Sequence, residues 1–261
     1  MVLDSNTFSP ADVAVHSDWF KAWFNHPAYL KLYAHRSLEE AEQTIATLLK
    51  FITLTTHTPK ALDIACGSGR HAVALAENGF QVTANDLSST LLREAKKLAE
   101  SKNLTLTFTH TDMREIAFEQ EFDLIVQLFT SFGYFENEDE DNAVLQNVAR
   151  ALKPSGWYVL DFLNEQFVRN TLQPETRRTL DTLDVFEQRM IFGERVVKSI
   201  SLRENGTTHR FIESVRLYSQ EELTAMLTAV GLRIHHTLGD YDGSAFVRDA
   251  SPRLILIAQK M

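Results

Sequence analysis

The chain has 261 residues, 44% of them apolar, which suits one domain of ~200 residues with an embellishment better than two full domains. A net charge of −9, from 26 basic and 35 acidic side chains, argues against a phosphate-backbone partner such as a nucleic acid, and no run approaches the ~18 apolar residues of a membrane span. The one cysteine, Cys66, excludes an intrachain disulfide, and the nine histidines show no metal-ligand spacing, so no metal is expected.

Asp4, Asp12 and Asp18 precede the first basic residue, Lys21, so no signal peptide is expected and the location is read as cytoplasmic. Trp19, Phe20, Trp23, Phe24, Tyr29 and Tyr33 then form an aromatic-rich stretch ahead of His35 and Arg36. It fits an amphipathic helix packed on the domain and equally a lid over a ligand. Ser37-Leu38-Glu39-Glu40 has the form of a capping box, and Leu38, Ala41, Ile45, Leu48, Leu49 and Ile52 follow at helical spacing.

Next comes a strand-like run, Lys60 to Ile64, a glycine turn and a helix from Arg70 to Asn78. A side chain at Gly67 or Gly69 would hold the backbone off a ligand or resist the turn's dihedrals. Asp86 lies 17 residues past Gly69, at the end of the next strand, Phe80 to Ala84. There a carboxylate can accept both hydroxyls of a ribose, so strand, turn, helix and spaced acid together predict a nucleotide site. Asp63, in the same strand-end turn, would repel a pyrophosphate and attract an ammonium. That disfavours a nicotinamide oxidoreductase and favours S-adenosylmethionine as cofactor.

Here the sequence resembles the Rossmann-like S-adenosylmethionine-dependent methyltransferases, whose first motif reads acid-x-Gly-x-Gly-x-Gly. In Asp63-Ile64-Ala65-Cys66-Gly67-Ser68-Gly69, Ala65 stands in for the first glycine. Cys66 reads as a small residue of the turn rather than a nucleophile. The resemblance continues in register. Asp112-Met113, after the strand-like Thr105 to Thr109, is similar to the motif that holds and covers the adenine. Phe122 to Gln127 resembles the fourth strand, which ends beside the transferred methyl, and Leu152 to Asp161 resembles the turn into strand five. The cofactor set so implied is Tyr33, Arg36, Asp63, Ala65, Gly67, Gly69, Asp86, Leu87, Asp112, Met113 and Gln127, with Tyr33 or Arg36 reaching the methionine carboxylate if the aromatic segment is a lid.

Helices are expected over Leu87 to Ser101 and Asn142 to Leu152, and after a second capping box at Ser219-Gln220-Glu221-Glu222, with last strands at Arg233 to Thr237 and Leu254 to Gln259. The fold class is α/β, a doubly wound and mostly parallel sheet; in the resembled family it has seven strands, the last antiparallel. Between Asn164 and Arg216 three strand-like runs follow one another without a helix, and Glu204-Asn205-Gly206 signals a hairpin. The division expected is a lid segment over 1–36, a core over 37–163 and 217–261, and an inserted antiparallel β-ribbon over 164–216, covering substrate or building a homodimer. Similar small-molecule methyltransferases, including amino-sugar N-methyltransferases, carry such an insertion.

Displacement at a sulfonium needs alignment and exclusion of water more than covalent help. Tyr134, in Thr130-Ser131-Phe132-Gly133-Tyr134-Phe135, and Asp161, at the end of strand five, are the candidate catalytic groups, each with a plain structural alternative. Gly239-Asp240-Tyr241-Asp242-Gly243 resembles a loop placed near the acceptor. The function expected is methyl transfer to a small-molecule acceptor; the rival is a non-catalytic S-adenosylmethionine-binding regulator or partner subunit.

Overall fold

The computed structural model describes residues 18–261; Asp4, Asp12 and the first part of the expected lid segment lie outside the described residues. The aromatic stretch forms two helices, α1 (Trp19–Asn25) and α2 (Pro27–Leu32). A single run is prevented by Pro27, which lacks an N–H and disfavours helical backbone at His26. His26 is extended instead, and its ring accepts from Ala28 N at 3.3 Å. α3 (Leu38–Leu49) begins where Ser37 Oγ accepts from Glu40 N at 3.0 Å.

Alternating elements follow: β1 (Lys60–Ile64), α4 (Arg70–Glu77), β2 (Gln81–Asn85), α5 (Ser89–Ser101), β3 (Thr107–Thr109), β4 (Phe122–Gln127), α6 (Glu138–Ala151) and β5 (Leu152–Leu163). Past a second sheet, α8 (Gln220–Ala229), β10 (Leu232–Leu238) and β11 (Arg253–Lys260) complete the core. The seven strands lie in the order β10-β11-β5-β4-β1-β2-β3, parallel except that β11 runs antiparallel to both its neighbours. Side chains alternate between the two faces. Leu62, Ile64, Ile125, Tyr158 and Leu160 join one core cluster, while Ala61, Leu124, Val126, Trp157 and Val159 join the other. Helices on both faces bury the sheet, which is why its strands read as near-continuous apolar runs.

The second sheet, between β5 and α8, has four antiparallel strands: β6 (Glu175–Leu180), β7 (Leu183–Phe192), β8 (Arg195–Glu204) and β9 (Thr207–Arg216). Asn205 and Gly206 both take positive φ, 50° and 81°, as the tight turn between β8 and β9 requires. β6, a polar edge strand, and the short α7 (Glu165–Thr171) went unread in the sequence because neither shows apolar periodicity. α6 starts at Glu138, four residues before the expected Asn142, with Asn137 as N-cap and an acidic first turn that suits the helix dipole. Leu183, Val185, Ile200 and Leu202 of the second sheet pack into the same cluster as Trp23 and Leu62, so its apolar face belongs to the main core.

Candidate active site

The turn after β1 places Ala65, Gly67 and Gly69 at φ 55°, 58° and 82°. Ala65, where the resembled motif has glycine, keeps its Cβ in a left-handed conformation that costs about 1–2 kcal/mol. The two glycines serve different needs. A Cβ on Gly67 would meet nothing within 4 Å, and this residue lines a cavity; one on Gly69 would sit 2.7 Å from Ala95 Cβ and 3.0 Å from its Cα. Gly69 therefore lets α5 pack on the turn and does not line the cavity. Gly69→Ala should lower stability by about 2–4 kcal/mol through overpacking and left-handed strain, read as a fall in the urea midpoint; an unchanged midpoint would mean that α5 moves aside at no cost.

Asp86, at the end of β2, is buried, and its carboxylate accepts from Gly67 N at 2.8 Å and Ser88 N at 2.7 Å. Burial pushes its pKa up, against the pull of these amide donors. Each oxygen accepts one of these bonds and keeps further acceptor capacity, and the residue lines a cavity. Asp63 is different. It is 2% exposed, lies behind the turn and does not line the cavity. Burial first, then the nearby Asp86 charge, pushes its carboxyl up to about 8, so it is protonated at neutral pH. In the ligand-free protein Asp63 is thus a neutral acid set behind the turn, with Oδ2 unpartnered. Because its folded pKa lies above the unfolded value, the folded state holds the extra proton and stability falls as pH rises from about 4 to about 8. Asp63→Asn should flatten that slope and stabilise the ligand-free protein by about 1–3 kcal/mol at pH 7, seen in melting curves across this range. A variant that keeps the wild-type slope would place the titrating group elsewhere.

The cavity, about 210 Å³, lies between this turn and α1–α2. Its wall is aromatic: the Tyr134 ring lies 5.0 Å from Trp19, 5.9 Å from Phe24 and 6.2 Å from Phe20, and Tyr29 lies 5.1 Å from Phe24 and 4.8 Å from Tyr33. Burial raises the Tyr29 phenol to about 12 and those of Tyr33 and Tyr134 well above their usual value, so all three stay protonated donors. Tyr33 is fixed from the second sheet: its hydroxyl donates to Glu213 at 2.9 Å and accepts from Lys198 at 2.7 Å, while Trp23 Nε1 donates to the same Glu213 oxygen at 2.7 Å. The Arg36 guanidinium stacks on the rings of Phe129 at 3.9 Å and Tyr33 at 4.2 Å and has no carboxylate partner among the described residues. His71, the second residue of α4, lines the cavity too; burial, then the charges of Arg70 and Arg36, press its pKa to about 3, leaving a neutral imidazole.

After β4 two non-glycine residues in succession, Phe129 and Thr130, take φ of 62° and 61°, strain of order 1–3 kcal/mol each that surrounding bonds must hold. Asp161 is what holds it. Its Oδ2 accepts from Phe129 N at 2.8 Å and Tyr241 Oη at 2.7 Å, its Oδ1 accepts from Arg253 Nε at 2.8 Å, and Arg253 Nη2 also donates to Thr130 Oγ1 at 2.8 Å. Asp161 is fully buried, does not line the cavity and is committed to these bonds, in keeping with the structural alternative of its two expected roles. Gln127 is likewise buried behind the wall, bonding Ser131 O at 2.6 Å, Met113 Sδ at 3.5 Å and Tyr158 Oη at 2.7 Å. Tyr241 packs on Phe129, 6.0 Å between rings, outside the cavity lining.

Of the expected site residues, Tyr33, Arg36, Ala65, Gly67, Asp86, Leu87, Asp112, Met113 and Tyr134 come together on the cavity; Asp63, Gly69, Gln127 and Asp161 do not. Asp112 also pairs with Arg114, at 2.6 Å, which with its amide bond more than offsets burial and keeps the carboxyl below its usual value. Phe20, Phe24 and Tyr29, of the stretch expected as a helix or a lid, line it as well, together with His71 and Phe129, which were not among the expected site residues. An adenosyl ligand with an amino-acid tail fits: an acid with spare acceptor capacity, open space beside Gly67, an aromatic wall and a free guanidinium face one cavity. Among the described residues no His, Cys, Asp and Glu group is placed to hold a metal, and no helix is long and apolar enough to cross a membrane.

A methyltransferase-domain family model matches residues 61–156, which run from β1 into β5. The Bacillus subtilis protein named "Putative methyltransferase YqeM" is 30% identical over 209 residues, 77% of this chain and 84% of its own length. A dTDP-3-amino-3,4,6-trideoxy-alpha-D-glucopyranose N,N-dimethyltransferase of Streptomyces venezuelae is 27% identical, over 71% of this chain and 81% of its own. In fold, a crystal structure of an S-adenosylmethionine-dependent methyltransferase from Clostridium acetobutylicum superposes with a TM-score of 0.75 at 20% identity, covering 89% of this chain and 96% of that one. With the glycine turn, Asp86 and the seven-stranded order already in place, the chain belongs to the Rossmann-like S-adenosylmethionine-dependent methyltransferases.

Proposed function

We propose that this enzyme methylates an amine of a small molecule inside the aromatic cavity, with Asp86 taking the ribose hydroxyls, Leu87, Asp112 and Met113 flanking the adenine, Ala65 and Gly67 giving the backbone approach, and Arg36 taking the methionine carboxylate. One observation carries the reading: a single cavity is lined at once by Asp86, Gly67, Arg36, which has no carboxylate partner among the described residues, and the rings of Phe20, Phe24 and Tyr29 from α1 and α2 with Tyr33 just beyond. S-adenosylmethionine supplies an electrophilic methyl group. The protein's own part is alignment and dryness. The rings around Tyr134 exclude water and present π faces that favour a cation, the sulfonium of the donor or the methylated ammonium product. Tyr134 lends a protonated hydroxyl to orient the acceptor, which attacks as the neutral amine and releases its proton to solvent after transfer, while Glu213, ion-paired with Lys198, fixes the Tyr33 hydroxyl. The relatives named for amino-sugar N,N-dimethylation agree with an amine.

In this proposal α1, α2 and the sheet over 164–216 form a lid on a core made of 37–163 and 217–261. Phe192, 51% exposed, shares the outer face of that sheet with Met190 and Ile212, opposite Lys198 and Glu213, which supports a homodimer through the insertion, measurable by light scattering. The acidic charge of −9 supports a small-molecule partner over nucleic acid or membrane and agrees with a cytoplasmic enzyme. Initial rates with a panel of small amines, matched alcohols and phenols test the acceptor class. Tyr134→Phe should lower kcat on the best amine by roughly 10-fold or more while S-adenosylhomocysteine affinity stays within about threefold; turnover of alcohols alone would overturn the amine assignment.

A further inference from the structure

Arg195 opens β8, in the second sheet, yet none of its hydrogen bonds goes to a carboxylate. Its Nη1 donates to Phe135 O at 2.9 Å, and its Nη2 faces Gly133 O at 3.1 Å, Tyr134 O at 3.1 Å and Ser214 O at 2.9 Å, while Nε donates to Ser214 Oγ at 2.8 Å. Three consecutive carbonyls of the loop between β4 and α6 thus converge on one partly buried guanidinium. They can do so because Gly133 is left-handed, φ 76°, and lies against the end of β9: a Cβ there would come within 3.1 Å of Arg216 O. Arg216 N donates to Gly133 O at 2.8 Å, so only the carbonyls of Tyr134 and Phe135 depend on Arg195 alone. Those two residues carry rings into the cavity. Phe135 also lies 4.3 Å under the Arg114 guanidinium, which pairs with Asp112.

A partly buried cation whose hydrogen bonds all go to neutral acceptors is a poor tether if cohesion is the only need, since matched apolar side chains would serve as well or better. Its planar fork is suited to fixing several acceptors at set angles. We propose that Arg195 is a positioning residue for methyl transfer: reaching out of the inserted sheet, it fixes the Gly133–Phe135 backbone and so sets where Tyr134 stands in the cavity. The second sheet is then part of the reaction chamber's frame and not only its cover. The proposal uses the amine-acceptor reading for its rate measurement alone; its exchange measurement is independent of any acceptor.

The test is Arg195→Lys, with Arg203→Ala on the same strand as control, both saturated with S-adenosylhomocysteine. A lysine cannot reach all these acceptors. Hydrogen exchange followed by mass spectrometry should show amides of 129–136 exchanging at least about tenfold faster, those of 60–72 unchanged and S-adenosylhomocysteine affinity within about threefold. On the best amine kcat should fall about tenfold or more with little change in KM for S-adenosylmethionine. Arg203→Ala should match the wild type. If Arg195→Lys does not fold, Ser214→Ala, which strips the Nε acceptor, should show the same pattern more weakly. Unchanged exchange over 129–136, or a rise spread evenly over all peptides, overturns the proposal. Faster loop exchange in which no amine is turned over even by the wild type would uphold the clamp and sink the amine assignment instead.

Discussion

Asp86→Ala should bind S-adenosylhomocysteine roughly 30- to 1000-fold more weakly than the wild type, the loss of charge-assisted hydrogen bonds to a ribose worth about 2–4 kcal/mol. Asp86 is 6% exposed and already accepts from Gly67 N and Ser88 N, so the variant also loosens the turn that receives the ligand. Adenosine separates the contributions that matter. It carries the ribose and lacks the amino-acid end, so it should lose as much as the full ligand. Arg36→Ala should do the reverse, weakening S-adenosylhomocysteine and sparing adenosine. Calorimetric titration of both ligands reads both variants, and affinity within about threefold of wild type for Asp86→Ala would remove the ribose assignment.

Asp161→Ala should destabilise the protein by about 3–5 kcal/mol, because it strands the buried Arg253 and frees the strained Phe129–Thr130 backbone. The melting temperature and urea midpoint measure this directly. A double variant, Asp161→Leu with Arg253→Met, removes both charges and should recover much of the loss. A general base at Asp161 would behave otherwise: near-native stability in Asp161→Asn, with the rate abolished and a pH limb missing from the profile. Near-native stability in Asp161→Ala would contradict the structural role.

What could be read from the residues was whatever depends on local chemistry and spacing. The βα turn shows itself through Gly67 and Gly69, the cavity acid Asp86 through its place at the end of β2, and the tight turn through Asn205-Gly206, because each answers a backbone or strand-end requirement expressed within a few residues. Asp63 and Asp161 show the limit: a strand-end carboxylate looks alike in sequence whether it faces a ligand or the core, and only packing decides. Gln127 follows the same logic, one residue inside the wall it supports. β6 and α7 lack a periodic apolar face. The contacts of Glu213, Lys198 and Arg195 join residues more than 50 positions apart, a distance over which a single sequence carries no pairing signal.

A crystal structure with S-adenosylhomocysteine bound tests the central claim, that the cavity under α1 and α2 is the cofactor site. The account predicts ribose hydroxyls on Asp86, the adenine between Leu87 and Met113 near Asp112, and the carboxylate on Arg36, with the sulfur facing Tyr134. A ligand bound outside this cavity, or within it with its amino-acid end on Asp86, would contradict the account.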